Sequence, residues 1–89
     1  MDSLINGRAL VTDFNQKCLQ LMNHTHYKFT RRESEVLILS CYGFDIEAIA
    51  SLLHRSPKTI LKHRENARRK TQLRTLMMVA THIWPLINH

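Results

Sequence analysis

Eight of the thirteen lysines and arginines of this 89-residue chain fall within residues 54–74: Arg55, Lys58, Lys62, Arg64, Arg68, Arg69, Lys70 and Arg74. One acid, Glu65, accompanies them, so the positive charge is concentrated there and the remainder of the chain is close to neutral. Side chains of these types recognise anions. On a helical wheel, Lys58, Lys62, Glu65 and Arg69 form one stripe with Asn66 beside it. Ile60, Ala67 and Thr71 share the other side, the one that faces a fold. Lysine and arginine reach phosphates or guanine O6 and N7, and an asparagine amide matches the donor and acceptor of adenine. A helix opening at Ser56 presents its first backbone N–H groups and its positive dipole end to a phosphate. The chemistry of this stripe is binding to nucleic acid rather than bond making.

Other chemistries lack their residues. His24 and His26 are two apart and Cys18 lies six before His24, with no C-x-x-C or H-x-x-x-H spacing, so no metal site is expected. There is no glycine-rich phosphate loop, no G-x-S-x-G and no pair of carboxylates suited to acid–base work. The expectation is a protein with no catalytic residues and no cofactor. Cys18 and Cys41 sit inside apolar helical patterns and read as buried, reduced thiols. The polar N-terminus carries no secretory signal, and no apolar run approaches membrane-spanning length. The expected location is the cytoplasm, without membrane partners.

The elements that must hold the stripe read as helices throughout. Two glycines and two prolines leave few breaks, and apolar residues recur at helical rather than strand period. Residues 1–25 predict a first helix with Leu10, Phe14, Cys18, Leu21 and Met22 on one side. Residues 23–28 read as a linker. Thr30 and Glu33 form a capping box that opens a second helix, and Gly43 ends it. Asp45 caps a short third helix to about Leu53, with Ile46, Ile49, Ala50 and Leu53 inward. After the break His54-Arg55, Ser56 and Pro57 open a fourth helix that runs to about Lys70. A fifth runs from Arg74 or Thr75 to about Trp84, where Pro85 should disturb it. The fold class is all-α: a compact helical bundle. Two short helices joined tightly, the second one basic, are the pattern of a helix-turn-helix.

Phe29-Thr30-Arg31-Arg32-Glu33-Ser34-Glu35-Val36-Leu37-Ile38-Leu39, then Gly43, Ile49-Ala50 and Leu53, then Ser56-Pro57-Lys58-Thr59-Ile60 and His63 follow a known pattern without gaps. It is L-T-x-R-E-x-E-V-L-x-L, G-x-x-x-x-E-I-A, S-x-x-T-V-x-x-H. Over Phe29–Arg74 the chain resembles the LuxR/GerE-type helix-turn-helix of bacterial transcription regulators. The resemblance implies a four-helix DNA-binding domain at residues 29–89, with residues 1–28 as an added helix and linker. It implies a sequence-specific regulator of transcription on double-stranded DNA, associated with the bacterial nucleoid. Residues 56–70 become the recognition helix in the major groove. The DNA-contacting set is then Arg55, Ser56, Lys58, Thr59, Leu61, Lys62, His63, Glu65, Asn66, Arg69 and Lys70. Arg32, Thr59 and His63 are structural or phosphate-facing, and Glu33 is a cap and scaffold residue.

The departures from the pattern bear on the target. Leu61 stands where a basic residue is common, which alters the site read or brings an apolar contact to a thymine methyl. Glu65 repels phosphate or accepts from a cytosine amine. Arg55 and Ala48 replace an apolar and an acidic residue. Ala67 and Thr71 replace bulky apolar ones and lighten the core, so the stripe on the first helix or Trp84 is expected to fill that space.

The last helix of the family commonly makes the dimer contact. Here Leu73, Leu76, Met77, Ala80 and Trp84 are expected to face the fold. Met78, Val79, His82, Ile83 and Leu86 are left for a partner, most simply a second copy. Such a homodimer reads half-sites about one helical turn (~34 Å) apart. A larger regulatory protein and RNA polymerase are the other partners considered. Family members mostly carry a receiver or ligand-binding domain ahead of this module. Beginning at Met1, the sequence leaves no room for one, which fits a stand-alone regulator or a piece of a longer one. A sigma-factor-like helix-turn-helix shares the first two helices of the pattern, and His63 favours the LuxR/GerE type. The alternative of a different class is a protein-interaction module, an anti-activator or co-regulator that keeps the fold and pairs with another regulator. Leu61 and Glu65 favour it, and the charge of residues 54–74 opposes it.

Overall fold

In a computed structural model, residues 3–23 and 26–87 are described, with side chains from residue 12 onward. Five helices follow one another: α1 (Ser3–Asn23), α2 (Arg31–Cys41), α3 (Ile46–Leu53), α4 (Pro57–Thr71) and α5 (Leu76–Ile87). No strand occurs among the described residues, which agrees with the all-α expectation.

Local chemistry sets most helix ends. Thr30 Oγ1 accepts from Glu33 N at 3.1 Å, and Thr30 N donates to Glu33 Oε1 at 2.9 Å, closing the capping box of α2. That helix stops at Gly43, whose φ of 98° suits a residue without Cβ. Gly43 N donates to the Ser40 carbonyl and Phe44 N to that of Leu39, a Schellman pattern. Asp45 caps α3 through Ala48 N at 2.8 Å. Ser56 caps α4 through Thr59 N at 3.2 Å, with Pro57 at the first helical position.

The end of α3 is less usual. His54, with φ 55°, takes the left-handed conformation normally given to glycine. Arg55 N still reaches the Ala50 carbonyl at 3.0 Å. The chain thereby turns from α3 into α4 across residues 54–56.

Two apolar clusters lie on either side of α2. Val36 and Leu39 pack with Ile49, Ala50 and Ile60, locking α3 and α4 onto α2. Leu37 and Ile38 pack with Cys18, Leu21, Phe29, Ala67, Val79, Ile83 and Ile87. This second cluster joins α1, α2, α4 and α5. Ala67 is fully buried within it, on a helix that packs against α2 and α5, while Trp84 packs on its edge. Helix α1 packs on α2 and α5 rather than on α4, so the space beside Ala67 is filled from α2 and α5, not by the α1 stripe as expected. Leu10 of the predicted stripe lies outside the described side chains, and His24 and Thr25 outside the described residues.

Helix α5 differs from expectation in two ways. It continues past Pro85 to Ile87, whose side chain is buried in the shared cluster. Proline removes one backbone donor there, and burial of Ile87 anchors the last turn. The helix is also rotated. Val79, Ile83 and Ile87 form its inner line, Leu76, Ala80 and Trp84 border it, and Met77 is 78% exposed. Both lines repeat every four residues, and docking against α1, α2 and α4 selects the one with branched aliphatics.

Candidate nucleic-acid interface

The buried side of α4 is Ile60, Ala67 and Thr71. This fixes the opposite side outward, where Lys58, Leu61, Lys62 and Arg69 are exposed. Arg55 and Ser56, at the mouth of the helix, are exposed as well. Thr59, His63, Arg64, Glu65 and Asn66 are half-buried along its flanks. Ser56 Oγ lies 3.0 Å from Thr59 Oγ1, so the two hydroxyls hold each other at the N-terminal turn. The dipole end and the lysines of the first two turns present one cationic surface.

Towards the C-terminal end of α4 the charges are partly neutralised by the protein itself. The Glu65 carboxylate is gripped by the Arg68 guanidinium through both oxygens, and Arg69 Nε lies 3.5 Å away. The hydrogen bond from Arg68 holds the Glu65 carboxyl below the usual carboxylate range. Arg68 also donates to the Leu73 carbonyl at 2.7 Å, tying α4 to the segment that enters α5. No sequence pattern separated this arginine from its neighbours. Its role depends on a turn in which Gln72 takes φ 63°.

Lys70, expected on the DNA face, is exposed, and its ammonium lies 2.6 Å from Glu33 Oε1 and 3.0 Å from the Lys28 carbonyl. Glu33 is 4% exposed. A buried carboxylate holds a lysine more strongly than solvent does, and this one caps α2 at the same time. Glu33 is therefore a cap and scaffold residue. Arg32 pairs with Glu35 at 3.0 Å. Arg31 joins Glu35 to Asn15 of α1, at 3.2 and 3.0 Å.

The residues expected at a dimer contact divide. Val79 and Ile83 are fully buried in the chain's own core, so they offer nothing to a partner. Met78 and Leu86 remain exposed at 45% and 43%. His82 is exposed, with its Nε2 in a 2.6 Å hydrogen bond to Tyr27 Oη. Met77, expected to face the fold because its period matches the inner line equally well, is exposed instead. With Leu73, Met78, Thr81, His82 and Pro85 it lines a shallow groove of about 580 Å³.

Both cysteines are free; Cys18 is buried and Cys41 half-buried. Among the described residues no cluster of His, Cys, Asp or Glu has the arrangement of a metal site. No helix of the described residues is long and apolar enough to cross a membrane.

No curated protein and no solved structure matches the chain. The profile of the family described as "Bacterial regulatory proteins, luxR family" (GerE) matches residues 27–83. That stretch runs from the linker before α2 to the buried Ile83 of α5, and leaves α1 as an addition. Covering well over half of the sequence, the match shows that the chain belongs to the luxR family of bacterial regulatory proteins, DNA-binding regulators of transcription rather than enzymes.

Proposed function

We propose that this chain binds double-stranded DNA sequence-specifically, with α4 in the major groove, and so regulates transcription in the bacterial cytoplasm. The observation that carries this is the outward face of α4. Lys58, Lys62 and Arg69 stand exposed on the second helix of a helix-turn-helix, with the N-terminal turn at Ser56 free to meet a phosphate. Arg55, Thr59, His63 and Asn66 flank that face. Met78, His82 and Leu86, with Met77, supply the surface for a second copy. Two copies related by a two-fold axis would place two α4 helices on successive turns of one duplex face.

The test is binding to random duplex DNA across a salt series, beside a Lys58→Ala/Lys62→Ala variant. Contacts to six or more phosphates give a log–log slope of about −5 or steeper. The variant should bind more weakly and lower the slope by about 2. A flat salt dependence, or no binding at low salt, refutes the reading.

One observation favours a second reading. The groove beside Met77 and Met78 is mostly apolar, and methionine-rich surfaces adapt to partner proteins. In that reading the chain pairs with a larger regulator or with RNA polymerase, and its association is insensitive to salt.

A further inference from the structure

Of the large apolar side chains that face solvent, one borders the cationic face. Leu61 of α4 is 45% exposed. Lys58 precedes it by one turn, Lys62 adjoins it and Glu65 follows by one turn. The core does not need it, because Ile60, Ala67 and Thr71 form the buried side of this helix.

Resting on the reading that α4 enters the major groove, we infer that Leu61 selects a thymine through contact with its C5-methyl group. That methyl is the apolar group that base edges present in the major groove. A leucine pressed onto the exposed amine of cytosine or adenine, or the O6 of guanine, would strip water from a polar group and return no hydrogen bond. Thymine is the base against which it loses least and gains apolar contact.

The neighbouring acid does not compete for the same position. Glu65 is the side chain that would accept from a cytosine amine, but both of its oxygens are engaged by Arg68 and one also by Arg69. Lys58 and Lys62 beside it are long enough to reach outward to phosphates or guanines. That edge of the face is left to Leu61, so the site read by this chain carries thymine at the position that edge meets.

The experiment uses the whole chain. Sites are first enriched from a random duplex pool by the wild type, by Leu61→Ala and by Leu61→Lys. Each thymine of the wild-type site is then replaced singly by uracil, which lacks the methyl group, and Kd is measured at fixed salt. One thymine per half-site should stand out, with uracil weakening wild-type binding about fourfold, as expected for one buried methyl. The same replacement should leave Leu61→Ala unaffected. At that position 5-methylcytosine should bind more tightly than cytosine. Leu61→Lys should bind random DNA more tightly and enrich guanine there.

An equal uracil effect in wild type and Leu61→Ala overturns the inference, as does enrichment of the same base by all three proteins. In both cases DNA binding itself stands. Failure of the wild type to bind the pool at low salt overturns the DNA-binding reading along with it.

Discussion

Lys70 Nζ lies 2.6 Å from Glu33 Oε1, joining the first turn of α2 to the last turn of α4 across 37 residues of sequence. The same carboxylate oxygen accepts from the backbone N–H of Thr30. One buried acid thus starts the helix that walls the core and fixes the far end of the helix that faces outward. Replacing Lys70 by methionine leaves this carboxylate without its cation. The expected loss is about 1–3 kcal/mol in urea unfolding, below the value for a fully buried pair because the Lys70 side chain is 33% exposed. The slope of DNA affinity against salt should stay at the wild-type value, whereas Lys62→Ala should reduce it by about 1.

Glu65 has the opposite effect on the outward face, since it holds Arg68 and Arg69. Glu65→Gln should release part of this positive charge. DNA affinity should rise and its salt dependence should steepen in a binding titration. Thermal stability should change little, as the pair is on the surface.

The added helix α1 should be structural in cis. Leu21 and Cys18 are fully buried against α2 and α5. Leu21→Ala should cost about 2–5 kcal/mol in denaturant unfolding. Removing residues 1–25 should cost more, because Val79, Ile83 and Ile87 would lose part of their cover, and an unchanged melting temperature would contradict this packing.

The turn between α3 and α4 depends on a left-handed histidine. His54→Gly should be neutral or stabilising by up to ~1 kcal/mol, since glycine removes the steric cost of positive φ and adds some unfolded-state entropy. His54→Val should be destabilising by ~1–2 kcal/mol, because a branched Cβ tolerates that conformation poorly. Paired melting curves of the two variants check the sign of each.

Stability should fall at alkaline pH. Burial pushes the Cys18 and Cys41 thiols up to about 11, and burial with a hydrogen bond to Asp13 pushes the Tyr42 phenol up to about 12. The unfolded chain loses these protons from about pH 9 for the thiols and about pH 10 for the phenol. Above pH 9 the native state therefore binds more protons than the unfolded state, and unfolding free energy declines as pH rises towards 11–12. Urea unfolding from pH 7 to 11 should show the decline, and Cys41→Ala should make it shallower.

The helix boundaries were legible because their causes are local. A hydroxyl and a carboxylate three residues apart, as in Thr30 and Glu33, satisfy backbone donors whatever the rest of the chain does. The same holds for Ser56 before Pro57 and for Gly43 after α2. The inward side of α4 was legible for a related reason: between Ile60 and Thr71 only one side of the helix is free of charge. The match to the luxR family, residues 27–83, spans these positions.

What the tertiary structure decided was choice among equivalents. Helix α5 carries two apolar lines at the same period, and no local rule separates them. Only the docking of α5 against α1, α2 and α4 together buries Val79 and Ile83 and leaves Met77 in water. Lysines close together on one helix look alike in sequence, yet Lys62 faces solvent and Lys70 meets a buried carboxylate. Long-range partners of this kind are fixed by how the helices cross, and burial of the acid makes the difference in energy that selects one lysine for the fold and not the other.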